Sequence, residues 1–491
     1  MGGIVAAGHP LTAEAGAAVL RAGGNAVDAA VAAMLTSWAA EPLLTGPGAG
    51  GYLLVAGAGE EPTLLDFFVE APGRGRPPGE PPPLTPVEVS FGDATQVFNC
   101  GPASVGVPGN PAGVCAAVQR WGTMRLAELA APAARLAREG VALNEQQAYV
   151  TAILRGILVS TPESSALFAP RGPVLAEGDR FASPELADTI ELLGAEGAAP
   201  FYTGEVAEAV LGWLAPRGGL LTRDDLAAYR AVPRRPVAAR YRGRSVLTNP
   251  PPNAGGVLLA LALALLDRAP GPPSGLQVVE AMEAVQAERT PSFHAGLAEE
   301  GFADALLASR LGSTTHISVL DGDGRACSVT CTNGEGSGIV VPGTGVHLNN
   351  IMGEEDLNPL GFHAFRPGRR MPSMMAPTVV LDAGGEVELV VGSAGSNRIR
   401  SAILQTVLGV VDHGLGAQAA VDAPRLHFED GTVFTEPGID EAALRAAGRD
   451  VASFRAPNLF FGGVQAVERD AVTGELSGAG DPRRGGVAVA A

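Results

Sequence analysis

The chain has 491 residues, 46% of them hydrophobic and 18% charged, and its formal net charge is −18. This length is ample for a large core, and the acidic balance argues against nucleic acid and anionic membranes as partners. Every basic side chain other than histidine is an arginine, which excludes Schiff-base lysines, pyridoxal-phosphate enzymes and P-loop lysines.

The four cysteines are too few for a disulfide framework in a chain of this length. Cys327 and Cys331 share a strand face, but no histidine pair stands at ligand spacing, so we predict buried thiols, with no metal and no cofactor. No basic segment precedes the first apolar residues, and the longest apolar runs fall short of the roughly 20 residues of a membrane span. A cytoplasmic location is therefore expected for the chain as given.

The first part of the chain predicts a short strand over residues 4–7, followed by a helix with Thr12 as its cap. Asn25 is expected to cap a second helix over residues 26–40, which is apolar on nearly every face and hence buried. Residues 46–51 spell G-x-G-x-x-G, but a helix precedes them and a strand follows. That order is the reverse of a dinucleotide site.

Residues 289–313 show little periodicity and are expected to form a mobile tail that ends directly before Thr314. Further helices are predicted over residues 116–140, 187–214, 257–266 and 277–288, with an exposed Pro/Gly-rich loop over 72–86.

Two β-prone segments over residues 313–320 and 327–333 flank a turn rich in Asp and Gly, which predicts a hairpin. In an antiparallel pair, the residue numbers of the two partners always add to the same total. A turn centred near Asp323 therefore places Thr332 opposite Thr314 to within one residue. Directly opposed side chains lie about 5 Å apart at Cβ, so one hydroxyl can hydrogen-bond the other.

Beyond the hairpin, strands are predicted over residues 377–381 and 387–391, and a helix over 398–411. Strands on one side of the chain with long helices between them indicate packed α and β layers. The segment that joins the last strand to the last helix contains Gly395 and Ser396, whose backbone N–H groups at a helix start are suited to stabilise an oxyanion.

The common hydrolase motifs are absent from the sequence, which has no G-x-S-x-G elbow and no H-E-x-x-H, and the seven histidines are scattered. A threonine hydroxyl is a weak nucleophile that needs a base, and the α-amine of an N-terminal threonine is such a base. Attack of the Thr314 hydroxyl on the carbonyl of Ser313 would cleave the chain there and free this amine.

At several motifs the sequence resembles the γ-glutamyltransferases (glutathione hydrolases) of the Ntn-hydrolase superfamily. The matching motifs are Gly23-Gly24-Asn25-Ala26-Val27-Asp28-Ala29-Ala30, Pro250-Pro251-Pro252 with Gly255-Gly256, Thr314-Thr315-His316-Ile317-Ser318-Val319, Asn349-Asn350, Pro377-Thr378 and Asp481-Pro482-Arg483. The resemblance implies an α+β fold, namely an αββα sandwich formed by both halves of a self-cleaved chain. It implies a large subunit over residues 1–313 and a small subunit over 314–491, both from one precursor.

The resemblance also assigns roles to individual residues. It implies a γ-glutamyl-enzyme intermediate that water or an acceptor amine resolves. The implied catalytic residues are Thr314 as nucleophile, Thr332 as the hydroxyl that orients it, and Gly395 with Ser396 as oxyanion donors. The implied substrate-binding residues are Thr315, Asn333, Glu354 and Ser373.

Several positions depart from the family pattern. Phe68 stands where the family usually has the arginine that holds the substrate α-carboxylate, and Ile351 replaces a residue that grips the α-amino group. Pro372 replaces the first of two paired serines, and the loop between Asn350 and Ser373 is short, which indicates little or no lid. The sequence leaves open whether one of several arginines replaces the missing clamp. These are Arg366, Arg369, Arg370 and Arg398.

The leading hypothesis is a self-processing amidohydrolase of this family that cleaves a γ-glutamyl, glutathione-like amide through an acyl-threonine intermediate. Because the site is expected to be open, hydrolysis should be favoured over transfer to an amine. One alternative is an acylase for another side-chain amide, such as a glutaryl-type group. Another is an uncut, non-catalytic scaffold or binding protein. The expected partner is a small-molecule amide substrate, with no nucleic acid and no membrane.

Overall fold

The computed structural model describes residues 2–77, 79–90, 95–287 and 315–491. Ser313, Thr314 and the predicted tail over 289–313 lie outside the described residues. No helix within the described ranges is both long enough and apolar enough to cross a membrane.

The described strands are numbered in chain order. They are β1 (Gly3–Ala7), β2 (Gly50–Gly57), β3 (Glu60–Phe67), β4 (Thr85–Ser90), β5 (Thr95–Cys100), β6 (Val141–Ala142), β7 (Arg180–Phe181), β8 (Val232–Arg234), β9 (Val237–Tyr241), β10 (Arg244–Thr248), β11 (Thr315–Asp321), β12 (Arg325–Thr332), β13 (Val340–Val341), β14 (Val346–His347), β15 (Thr378–Leu381), β16 (Val387–Ala394), β17 (Leu426–Glu429), β18 (Thr432–Thr435), β19 (Asp450–Ser453), β20 (Gly463–Arg469), β21 (Leu476–Gly480) and β22 (Val487–Ala490).

The described α-helices are numbered in the same way. They are α1 (Pro10–Arg21), α2 (Ala26–Ala40), α3 (Asn110–Trp121), α4 (Leu126–Glu139), α5 (Glu145–Ile153), α6 (Arg155–Leu158), α7 (Pro162–Phe168), α8 (Pro184–Glu196), α9 (Ala199–Tyr202), α10 (Glu205–Leu214), α11 (Arg223–Ala228), α12 (Gly255–Leu266), α13 (Gly275–Ala287), α14 (Ile399–Val411), α15 (Ala417–Asp422) and α16 (Glu441–Ala446).

Two large antiparallel sheets form the centre of the molecule. The first has the strand order β22-β1-β11-β12-β2-β3-β8, and the second has the order β21-β20-β16-β15-β10-β9. The sheets pack face to face, while α1 and α2 cover the outer face of the first sheet and α12, α13 and α14 cover that of the second. This arrangement is the αββα sandwich that the resemblance implied, and the expected fold class is confirmed.

Strand β2 shows why the central strands are apolar along their whole length. Leu53 and Val55 point to the helical layer, whereas Tyr52 and Leu54 point to the second sheet. Side chains alternate between the two faces of a strand. Since both faces are covered here, both sets must be apolar.

The start of α2 confirms the predicted cap. The Asn25 side chain accepts hydrogen bonds from the backbone N–H groups of Val27 and Asp28, and the Asp28 carboxylate accepts one from the Asn25 N–H. The predicted cap at Thr12 is wrong, because α1 begins at Pro10 and His9 caps it. Proline is pre-organised for the first helical position, and the His9 ring accepts a hydrogen bond from Leu11.

The first sheet interleaves strands from both sides of the undescribed segment 288–314. Strand β11 follows that segment but lies between β1, which comes from the start of the chain, and β12. The second sheet likewise joins β9 and β10 to four strands from the C-terminal part. The parts before and after this segment are therefore not separate domains.

A comparison of one buried and one exposed leucine tests the assignment of the core between the sheets. Leu54 is fully buried, whereas Leu360 is 41% exposed. We expect Leu54→Ala to lower the free energy of unfolding by about 2–5 kcal/mol, because it removes buried methyl groups and leaves a cavity. Leu360→Ala should change it by less than about 0.5 kcal/mol. Urea denaturation of both variants measures this difference, and equal losses would contradict the assigned core.

Candidate active site

The beginning of β11 lies at the rim of a cleft of about 850 Å³, a volume that includes its open mouth. Thr315 and His316 line the cleft from β11, and Ala394 lines it from the end of β16. Ala394 directly precedes Gly395 and Ser396, the predicted oxyanion pair. The structure therefore brings Thr315, which follows Thr314, to the same cleft as Ala394, which precedes the predicted oxyanion pair.

Thr315 is buried and its hydroxyl is engaged by Glu41. The Thr315 hydroxyl donates to Oε2 of Glu41 at 3.2 Å, and the Thr12 hydroxyl donates to Oε1 at 2.7 Å. Burial raises the pKa of the Glu41 carboxyl, and the two hydroxyl donors partly offset this shift. No sequence motif marks Glu41, since its position at the cleft depends on packing between α2 and β11. The substrate role of Thr315 stays a prediction.

Thr332 is the last residue of β12 and is buried at the end of the hairpin. Thr315 lies opposite Cys331, in agreement with the register that the sequence predicted. The Thr332 hydroxyl accepts a hydrogen bond from the Gly334 N–H at 2.8 Å, and it donates to no described residue. A hydroxyl has one donor and two acceptor positions, and the donor position of Thr332 has no partner among the described residues.

Asn333 carries an enclosed side-chain amide. Its oxygen and nitrogen are buried and have no hydrogen-bond partner among the described residues, although such groups are normally paired. Its backbone N–H donates to the carbonyl of Leu44, a residue that lines the cleft, at 3.0 Å. A Cβ on Gly46 would lie 3.6 Å from the amide nitrogen. The unmatched amide next to Thr332 is suited to bind a ligand.

The structure brings Glu354 to the turn over residues 332–336. Oε1 of Glu354 accepts a hydrogen bond from the Glu335 N–H at 3.3 Å. A side chain at position 334 would collide with Oε1 of Glu354 and with Oδ1 of Asn350, so Gly334 permits this approach. Thr332, Asn333 and Glu354 thus form one group of predicted site residues.

Gly395 and Ser396 form the link between β16 and α14. Both have positive φ angles, 127° at Gly395 and 55° at Ser396, and the Arg398 N–H donates to the carbonyl of Gly395 at 3.0 Å. A left-handed conformation at a serine is uncommon, and such strain is often found at functional sites. The link leads into the N-terminus of a 13-residue helix, whose dipole favours negative charge.

Ser373 lies in a different set of contacts. Its hydroxyl accepts a hydrogen bond from the Met375 N–H at 3.0 Å, and its carbonyl accepts from the N–H groups of Ala254 and Gly255. These bonds fasten Ser373 to the beginning of α12. Its hydrogen bonds to described residues do not reach Thr332 or Gly395, and its substrate role stays a prediction.

His316 is fully buried between the sheets at the base of the cleft. Its Nδ1 lies 2.8 Å from the Thr330 hydroxyl and its Nε2 lies 2.9 Å from the Ser318 hydroxyl. Burial lowers the pKa of His316 to about 3, so the ring is neutral near pH 7. It holds the two strands together through hydrogen bonds.

Phe68, which stands where the resemblance implied an arginine clamp, is part of the protein core. The Phe68 ring is fully buried between the sheets and stacks on Tyr52 with the centroids 5.5 Å apart. Arg370 does not replace the clamp, because its guanidinium forms ion pairs with Asp66 at 3.3 Å and Glu70 at 3.5 Å and donates to the Phe68 carbonyl.

The other arginines considered as clamps are also placed elsewhere. Arg366 and Arg369 are exposed on the surface. Arg398 stacks over the Phe460 ring with its guanidinium carbon 4.7 Å from the centroid, and its Nε donates to the Phe460 carbonyl at 3.0 Å. Sequence reasoning missed Arg484, which lines the cleft. Only the preceding residues Asp481, Pro482 and Arg483 belong to the resembling motif.

Comparison with known proteins agrees with these features. The family model for gamma-glutamyltranspeptidase matches residues 12–311 and 297–491. The acylase ACY 1 proenzyme of Pseudomonas sp. (strain SE83) is 32% identical over 99% of this chain and 93% of its own length. The glutathione hydrolase proenzyme of Escherichia coli (strain K12) is 31% identical over 98% of this chain and 90% of its own length.

Solved structures give the same result. The crystal structure of cephalosporin acylase from Bacillus halodurans matches with a TM-score of 0.84 and 28% identity, covering 99% of this chain and 95% of that one. The Helicobacter pylori gamma-glutamyltranspeptidase matches with a TM-score of 0.51 and 30% identity, covering 60% of this chain and 88% of that one. The fold is that of the Ntn hydrolases. Within that class, the chain belongs to the gamma-glutamyltranspeptidase family.

The buried carboxyl of Glu41 predicts a dependence of stability on pH. Because its pKa is raised on folding, the folded protein binds more protons than the unfolded chain between the two pKa values. Its contribution to the free energy of unfolding is therefore present at acid pH and is lost as the pH rises through that window. We expect Glu41→Gln to make this decline shallower.

Urea denaturation between about pH 4 and about pH 8 measures this effect. The matched control is Glu61→Gln, since Glu61 is exposed in the β2–β3 hairpin, and it should keep the wild-type decline. A Glu41→Gln profile parallel to that of the wild type would contradict the assignment.

Proposed function

We propose that this protein is a self-processing amidohydrolase that works through an acyl-Thr314 intermediate. The Thr314 hydroxyl attacks the Ser313 carbonyl, and the C–N bond breaks as an ester forms, which frees the α-amine of Thr314. Water then hydrolyses the ester to give the Ser313 carboxylate and the free Thr314 hydroxyl. The proposal is supported by relatives that are named proenzymes, and by the cleft at the residue that follows Thr314.

In the same proposal, the freed amine takes the proton of the Thr314 hydroxyl as the oxygen attacks the substrate carbonyl. The backbone N–H groups of Gly395 and Ser396 stabilise the oxyanion, a contribution of about 3 kcal/mol per donor in comparable sites. The proton then goes to the leaving amine, and water hydrolyses the acyl ester. Thr332 orients the nucleophile with the hydroxyl proton that no described residue accepts.

The acyl group that fits this site best lacks the amino-acid end of a γ-glutamyl group. The observation that carries this conclusion is the burial of Phe68 against Tyr52, with Arg370 committed to Asp66 and Glu70. The fully buried Ile351 also offers no polar group to an α-amine. An acylase activity on a side-chain amide is therefore the first candidate, in line with relatives named acylases.

A γ-glutamyl amide is the second candidate. Glu354 lies beside the turn that follows Thr332, where a carboxylate can hold an ammonium group, and Asn333 presents an unmatched amide. In both cases we propose hydrolysis rather than transfer to an amine, because the short loop between Asn350 and Ser373 leaves the site open to water.

Processing is tested by mutation of the nucleophile. We expect the wild-type chain to give two bands on a denaturing gel, and the small fragment to begin with Thr-Thr-His-Ile by N-terminal sequencing. Thr314→Ala should abolish both cleavage and turnover, because it removes the only proposed nucleophile. Thr63→Ala is the control, since this hydroxyl bonds a carbonyl at the exposed β2–β3 hairpin. A single full-length band from the wild type would overturn the proposal in favour of an uncut scaffold.

The acyl group is tested with paired substrates. We expect p-nitroaniline to be released at least about 10-fold faster from the glutaryl anilide than from the γ-glutamyl anilide, as kcat/KM. The γ-glutamyl ammonium lacks the partner that Ile351 would have to supply, and one lost charge-assisted hydrogen bond is worth about 1.5–3 kcal/mol. A preference for the γ-glutamyl compound would make the second candidate the correct one.

A further inference from the structure

The cleft beside Thr315 has mainly apolar walls. The apolar lining residues are Leu43, Leu44, Leu143, Val150, Phe168, Leu175, Phe181 and Leu459. Small-molecule sites typically combine such walls with a few polar groups that fix the orientation of the ligand. The charged or ionisable side chains on the lining are His9, Glu41, His316 and Arg484, and only Arg484 is a fixed cation.

Arg484 is seated at the oxyanion end of the cleft. Its aliphatic stem lies against Gly463, where any side chain would collide with it, and its Nη2 lies 3.6 Å from the Cβ position of Gly395. Glycine at position 463 thus makes room for the aliphatic stem of Arg484. The cation lies next to the predicted oxyanion pair and on the wall of the same cleft.

The guanidinium of Arg484 is poorly matched by the surrounding protein. It has five N–H donors, but it makes one hydrogen bond, from Nη2 to the Leu459 carbonyl at 3.2 Å, and its enclosed Nε has no partner. No carboxylate of the described residues lies within 4 Å of it. Burial, with a smaller contribution from Arg398, lowers its pKa to about 10, so it remains charged at neutral pH.

Three buried arginines behave differently from Arg484, which is half-buried. Arg370 pairs with Asp66 at 3.3 Å, Arg425 pairs with Asp481 at 2.7 Å, and Arg483 pairs with Glu436 at 2.5 Å. Buried charges are usually paired because removing an ion from water is expensive. Arg484 departs from this rule at a cleft, where a ligand can supply the missing anion.

Glu41 is the charge that would oppose such an anion. Its oxygens accept hydrogen bonds from Thr12 and Thr315, and burial raises its pKa. This shift favours the neutral acid, which repels an anion less than a carboxylate would. At the β16 end, no carboxylate of the described residues lies within 4 Å of the Arg484 guanidinium.

We propose that Arg484 binds the terminal carboxylate of the acyl group, so that the substrates are amides of short dicarboxylic acids. The methylene groups lie on the apolar walls, and the guanidinium receives the carboxylate through paired N–H donors. This inference rests on the proposed amidohydrolase function and names the acyl chemistry of the same site.

The test compares an anionic acyl group with a neutral one of the same chain length. In the wild type, kcat/KM for the glutaryl anilide should exceed that for the pentanoyl anilide. Arg484→Met should reduce this ratio by about 10- to 100-fold, which is the range for one charge-assisted hydrogen bond. Arg484→Lys should keep part of the preference, and the exposed Arg240→Met serves as control with an unchanged ratio.

A binding measurement separates this inference from the proposed function. Calorimetry with glutarate on the wild type and on Arg484→Met needs no turnover, and the variant should bind at least about 10-fold more weakly. Equal losses on both anilides would overturn the proposal by assigning Arg484 to the oxyanion or to folding. Loss of the Thr-Thr-His-Ile terminus in Arg484→Met would overturn it in favour of an acid within residues 288–314. Absence of glutarate binding to the wild type would also overturn it, whereas binding without any processing would instead refute the amidohydrolase.

Discussion

The backbone pairing of β11 with β1 and β12 is the constraint on which the site depends. Its antiparallel register brings the beginning of β11 and the end of β12 next to each other at the same end of the first sheet. The second sheet packs against this one, and its strand β16 ends at the same cleft. Thr315 at the start of β11 and Ala394 at the end of β16 thus line one cleft because of backbone hydrogen bonds made along the whole length of the strands. The chemistry of the cleft is a consequence of sheet geometry.

The distribution of ion pairs explains how the site differs from the family pattern. Asp66 pairs with both Arg234 at 2.7 Å and Arg370 at 3.3 Å, and the same arginine donates to the Phe68 carbonyl. The segment at which the resemblance implied a carboxylate clamp is here part of the protein's own core. Arg484 lines the cleft, and it makes one hydrogen bond to the described residues. The cation with unmatched donors is therefore at a different position from the clamp that the resemblance implied.

Local patterns in the sequence predicted some elements well, but the single helices expected over residues 116–140 and 187–214 are each divided into shorter helices. Asn25 and the apolar run after it specified α2, and the Asp/Gly turn specified the hairpin of β11 and β12, because each signal lies within one element. The helix cap at Thr12 was wrong, since proline at position 10 and the His9 ring set an earlier start. The strands after residue 412 were not predicted, and Glu41 and Arg484 gave no signal. Their positions at the cleft depend on contacts between elements distant in sequence, which no short pattern encodes.

The interleaving of strands determines what a cut in the backbone would do to the folded protein. Strand β11 pairs on one side with β1, from the beginning of the chain, and on the other side with β12, which follows it in sequence. If the backbone is severed ahead of β11, the two pieces remain one folded body, since separating them would tear both sheets apart. Neither piece carries all the strands of either sheet. A chain cut at that point would have to refold as two separate pieces, without the covalent connection that the uncut chain has between its strands.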